Sequence, residues 1–156
     1  MTNTTLCYIQ KDQKWLLLHR VKKDQDANRG KWIGVGGKME EGESPEDCLM
    51  REVKEETGLD LLSYRARGII TFVSDVYGTE YMHLFTATEF SGELQECSEG
   101  VLAWIPAEQL TSLPMWEGDR IFLSLLHTEM PFFSLKLTYR GDALVSAFLD
   151  GKPLAL

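Results

Sequence analysis

Basic residues are scarce in this chain: 16 Lys and Arg stand against 24 Asp and Glu, a formal net charge of −8. Polymeric nucleic acid is bound through clustered cations that neutralise phosphates, so it is not an expected partner. Cysteine is sparse too. Cys7, Cys48 and Cys97 are odd in number and lack metal-ligand spacing, which argues against a disulfide framework and reads as the reduced thiols of a cytoplasmic protein. No apolar run reaches membrane-spanning length, and MTNTTLCYIQ has no basic segment leading into a long apolar one, so no membrane partner is expected. His19, His83 and His127 have no partner at ligand spacing and are read as structural. Internal repeats and low-complexity segments are missing.

What remains suits one compact enzyme domain over residues 1–156, because 44% hydrophobic content is enough to bury a core without disulfides. Residues 5–9 and 14–20 read as strands around a polar turn at 11–13, followed by an open loop at 24–31 and a strand into Gly34, Gly36 and Gly37. Residues 66–76 and 80–89 read as a hairpin about Gly78. Residues 101–105 make another strand, IPAEQL a helical turn, and Asp119 to Leu126 a helix. FFSLKLTY and ALVSAFL form a last hairpin around Arg140, Gly141 and Asp142. Strands with few helices between them predict an α/β fold, a mixed sheet with helices on both faces in an α/β/α sandwich.

The most informative segment is GKMEEGESPEDCLMREVKEETGL at 37–59. Ser44 is a good N-cap, Pro45 suits the first helical position, and Glu46 and Asp47 place negative charge where the helix dipole favours it. The helix should run to about Thr57 and stop at Gly58. Glu52, Glu55 and Glu56 then share one face, with Leu49, Met50 and Val53 turned toward a core. Like charges at this spacing repel, so either a cation compensates them or the face is simply solvated. Oxygen-only ligands suit a hard divalent ion, and Mg²⁺ keeps waters and bridges to substrate phosphates. Arg51, four residues before Glu55, can hold that carboxylate.

Gly37, Glu43, Arg51, Glu52, Val53, Glu55, Glu56, Gly58 and Leu59 fit each specified position of the Nudix box, G-x5-E-x7-R-E-U-x-E-E-x-G-U, with U a bulky aliphatic. The chain thus resembles the Nudix hydrolases, which implies metal-dependent hydrolysis of a nucleoside diphosphate linked to another moiety. Carried over, Glu52, Glu55, Glu56 and the Gly37 carbonyl would bind Mg²⁺, or Mn²⁺ in its place. Glu43 and Arg51 would complete the catalytic apparatus by supporting loop and helix. Glu99, in the loop before the strand ending at Trp104, sits where the family often supplies a further metal-binding or base-acting glutamate; either Glu55 or Glu99 is the base. The resemblance also implies the α/β/α sandwich.

Beyond the box, GKWIGVGGKMEEGES, Trp104, PMWEGDRIF and FFSLKLTYRG are similar to MutT-type triphosphatases that hydrolyse oxidised purine nucleotides such as 8-oxo-dGTP to a monophosphate and pyrophosphate. Asp119 matches an acid of that group's base pocket, Trp116 is placed to stack on a base, Phe72 and Met82 to form an apolar wall, and Lys38 to meet phosphate. Trp116, Asp119, Phe72 and Met82 also have ordinary readings as core or helix-end residues. Ile33 stands where such relatives carry an asparagine, and Gly118 replaces the first of two neighbouring acids. Other readings stay open: a hydrolase of dinucleoside polyphosphates or nucleotide sugars, which Tyr77 favours, or a nucleotide-sensing domain without activity. A small nucleotide is the expected partner, met by a monomer or weak homodimer.

Overall fold

A computed structural model describes residues 1–24 and 26–156; Gln25, inside the expected loop at 24–31, lies outside the described residues. Strand β1 (Thr2–Lys11) alternates sides with its pleat: Leu6 and Tyr8 enter one apolar cluster, Cys7 and Ile9 the other. Around it run β2 (Lys14–His19), β3 (Trp32–Ile33), β4 (Val35–Lys38), β5 (Asp60–Ser74), β6 (Gly78–Ser91), β7 (Val101–Pro106), β8 (Phe133–Arg140), β9 (Ala143–Leu149) and β10 (Lys152–Pro153). Their order is β10-β9-β8-β5-β6-β1-β2-β3, with β4 also on β1 and β7 also on β2. The β1/β6 and β5/β8 pairs are parallel and the others antiparallel, so the sheet is mixed as expected.

Helix α1 (Pro45–Thr57) lays Leu49 and Val53 on one face of the sheet. Helix α2 (Glu117–His127) lays Phe122, Leu123 and Leu126 on the other. This is the expected sandwich. Ser44 and Asp47 cap α1 reciprocally, each side chain accepting from the other's amide at 3.0 Å, and Gly58 ends it at φ 80°. The buried Arg67 guanidinium donates to the Leu126 carbonyl and to Thr86, each at 3.3 Å, tying the last turn of α2 to the sheet.

Several details differ from expectation. Met50 is 39% exposed, because the helical wheel turns it just past the core-facing arc that Leu49 and Val53 occupy. The hairpin is longer and shifted: β5 starts at Asp60, and its register slips between Leu61 and Ser63, Ser63 and Arg65, and Ala66 and Gly68. Such irregularities break the alternation by which a strand is recognised. Asp75 and Val76 belong to the turn, where Ser74 Oγ accepts from the amides of Val76 and Tyr77 at 3.0 Å. Helix α2 begins two residues before Asp119, and the short β10 was not anticipated.

Candidate active site

The fork in the sheet builds the site. β1 gives its far end (Ile9–Lys11) to β2 and its near end (Thr4–Cys7) to β4, so the glycine strand β4 reaches the N-terminal end of β1 in front of α1. A Cβ on Gly37 would stand 2.5 Å from the Glu52 carboxyl carbon, so only glycine lets the loop backbone approach that carboxylate. Arg51 gathers the loop and helix. It donates to both Glu43 oxygens at 2.8 Å, to Glu52 at 2.7 Å, to Glu55 at 3.3 Å and to the Lys38 carbonyl at 3.0 Å. These bonds hold the Glu43 carboxyl down at about 2, helped by the Glu40 amide. Arg51 therefore serves Glu43 and Glu52 before Glu55.

Glu56 is buried. Its Oε1 accepts from the Gly36 amide at 2.8 Å, while its buried Oε2 has no hydrogen-bond partner among the described residues. Burial pushes its carboxyl up to about 8 against the opposing Gly36 bond, with Glu99 and Glu52 adding repulsion. Burial likewise raises Glu52, against the pull of Arg51. An orphaned buried oxygen beside further carboxylates is the donor chemistry a hard divalent cation requires. Glu99 is held by Arg20 at 3.1 Å and Lys23 at 3.3 Å.

A cleft of about 650 Å³ runs from this acidic end to an aromatic one. Gly37, Lys38, Glu52 and Glu99 line the first; Phe72, Met82, Trp116 and Asp119 line the second. Glu43, Arg51, Glu55 and Glu56 lie outside the lining, Arg51 and Glu43 behind it as a brace. Trp116 is buried at the N-cap of α2, edge-on to Phe72 at 5.5 Å and to Tyr139 at 5.1 Å, with Lys31 Nζ 4.5 Å from its ring. It is thus both core and cleft wall. Asp119 is buried without a side-chain hydrogen bond among the described residues, and burial pushes it up to about 8.

Three residues escaped the sequence reading. Asn28, from the loop before β3, lines the cleft and accepts the Trp116 Nε1–H at 2.7 Å. Glu80 lines it too and accepts from Thr4 at 2.8 Å. Cys97 lies beside Glu56 and Glu99, although the cysteines show no metal-ligand spacing in sequence. Asn28 sits in aperiodic sequence with no signal; the Cys-x-Glu of Cys97 and Glu99 was the one available clue. His19 stacks on Trp32 and His127 on Trp15.

A NUDIX domain model matches residues 2–126. The chain belongs to the Nudix family. It is 37% identical to a Bacillus subtilis protein described as uncharacterized Nudix hydrolase YvcI, over 91% of this chain and 95% of that one. It is 31% identical to the oxidized purine nucleoside triphosphate hydrolase of Danio rerio, over 82% of this chain and 83% of that one. The crystal structure of a MutT protein from Bacillus halodurans superimposes with a TM-score of 0.87 at 30% identity, covering 98% of this chain and all of that one (100%). This Nudix hydrolase therefore has the MutT fold in full, and hydrolases of the family generally use divalent metals such as Mg²⁺. No helix among the described residues is long and apolar enough to cross a membrane.

Proposed function

We propose that this chain is a divalent-metal-dependent pyrophosphohydrolase of nucleoside triphosphates, with an oxidised purine of the 8-oxo-dGTP kind as substrate and nucleoside monophosphate and pyrophosphate as products. One observation carries the reading: a single cleft joins the carboxylate end to an aromatic end with a buried acid that has no side-chain partner among the described residues. A triphosphate and its base fit that polarity. The name of the Danio rerio relative supports the same substrate class.

Glu52, Glu55 and Glu56, with the Gly37 carbonyl, would hold Mg²⁺ or Mn²⁺. When bound, the metal supplies Lewis-acid polarisation of phosphoryl oxygens and a more acidic water. The protein's own share is positioning and charge. Lys38 and Arg20, both in the cleft wall, would face phosphate oxygens. Arg51 and Glu43 keep the helix face against the glycine loop. Glu55 is the base we favour for the attacking water, since its only ion pair among the described residues is the 3.3 Å contact with Arg51 while Glu99 is held by two cations.

At the base end, burial favours the neutral acid form of Asp119, which would offer a base both a donor and an acceptor. Ile33 can offer neither. Asn28 takes that part: an indole N–H only donates, so Trp116 orients the amide with Oδ1 engaged and the two Nδ2 hydrogens left for a base carbonyl. This arrangement favours 6-oxopurines over 6-aminopurines.

The test is a kcat/KM panel over 8-oxo-dGTP, dGTP, oxidised dATP, CTP, a dinucleoside polyphosphate and ADP-ribose, with Mg²⁺. We expect 8-oxo-dGTP to lead. Equal rates on oxidised and normal guanine, or a lead by ADP-ribose, would remove the oxidised-purine reading. A lead by the dinucleoside polyphosphate would favour the part of Tyr77, which lines the cleft 6.5 Å from Trp116.

A further inference from the structure

Cys97 is 4% exposed and sits in the connection between β6 and β7, pinned by an isolated bridge to Gly100. Its Sγ, one carboxylate oxygen of Glu56 and one of Glu99 all lie within 4.8 Å of one another. Glu56 is 7% exposed, and its Oε2 has no hydrogen-bond donor among the described residues. A buried carboxylate oxygen left without a donor calls for a cation or an ordered water. The thiol beside it changes which cation fits.

The geometry points to a site for a thiophilic divalent cation of the Zn²⁺ or Cd²⁺ kind, formed by Glu56, Cys97 and Glu99 and overlapping the hard-cation face through Glu56. Mg²⁺ takes oxygen and avoids sulfur, whereas a borderline-soft ion binds thiolate and carboxylate together. Tetrahedral Zn²⁺ with bonds of about 2.0–2.3 Å draws its donors to roughly 3.3–3.8 Å apart, so the cluster closes with shifts on the order of 1 Å. The loop that carries two of the donors is anchored: Lys22 donates through Nζ to the Cys97 carbonyl at 2.8 Å and through its amide to the Glu99 carbonyl at 3.3 Å. Binding forms an S–metal bond and releases the thiol proton to water, with no change of oxidation state. A fourth position is left for water. Because one carboxylate serves both ions, a soft cation here takes Glu56 from the hard one and inhibits.

Cobalt(II) alone, titrated into the metal-free protein, reads the sulfur bond directly. The expected result is a sulfur-to-cobalt charge-transfer absorption in the wild type, kept in Cys48→Ser and lost in Cys97→Ser. No such band in the wild type, or its persistence in Cys97→Ser, overturns the site. Should Cys97→Ser not fold, cadmium NMR of the wild type decides instead, since a sulfur-bound resonance is far downfield of an all-oxygen one. In turnover with fixed Mg²⁺, Zn²⁺ inhibition should weaken by about tenfold or more in Cys97→Ser. The absorption needs no substrate, so it stands or falls separately from the proposed reaction.

Discussion

The Trp116 indole N–H and the Asn28 amide oxygen meet at 2.7 Å across 88 residues of sequence, joining the start of α2 to the loop before β3. The bond fixes which end of the Asn28 amide stays available to a ligand. Asn28→Leu should lower kcat/KM for 8-oxo-dGTP by about tenfold, near 1.4 kcal/mol, while oxidised dATP changes little. Parallel losses on both nucleotides would reduce Asn28 to a prop for Trp116.

Arg51→Lys keeps the charge and loses the fork that grips both Glu43 oxygens. If the pair positions the proposed metal face, we expect kcat to fall by about 10–100-fold with a smaller effect on melting temperature, since the charge is kept in this partly buried pair. Glu43→Gln should reproduce the loss. A large drop in melting temperature in either variant would show the pair to be a stabilising element instead.

Asp119 makes stability depend on pH. Its folded value of about 8 lies above the ordinary 3.8, so the contribution is fully present below 3.8 and lost as pH rises through about 8. The slope is about 1.4 kcal/mol per pH unit within that window. Urea unfolding at several pH values should find a shallower dependence in Asp119→Asn. Identical slopes in both proteins would contradict the assignment.

Glu56→Gln should raise the melting temperature of the metal-free protein by a few degrees, since it removes a buried acid whose Oε2 has no donor among the described residues. The same change should abolish stabilisation by Mg²⁺ and most turnover. Calorimetry with and without chelator checks both, and an unchanged Mg²⁺ response would take Glu56 out of the ligand set.

Gly118→Ala brings a methyl onto Leu137 and the Tyr139 hydroxyl, which already accepts the Gly118 amide at 2.7 Å. A loss of about 1–3 kcal/mol by urea unfolding is expected. A side chain at 118 would have to displace the ends of the Leu137 and Tyr139 side chains of β8.

Helix α1 was readable almost to the residue because its signals are local: Ser44 and Asp47 cap it, Gly58 ends it, and its glutamates recur at helical spacing. Trp116 and Asp119 came from resemblance and Phe72 and Met82 from their places on adjacent strands, and all four line the cleft. What stayed hidden depends on distant contacts. The register slips of β5 blur its alternation, Asn28 has meaning only beside Trp116, and Cys97 nears Glu56 only because the β6–β7 connection folds back on α1.

β1 leads the strands in sequence yet lies inside the sheet, with β6 along its parallel flank and Thr4 bonded to Glu80, 76 residues away. Closing so long a loop must precede the pairing that rewards it, which slows folding. A growing chain therefore has no such cleft until β6 has been made, however early α1 and its glutamates emerge. Until then the acidic helix is a local structure without a pocket, and ligand can aid folding only from that late step onward.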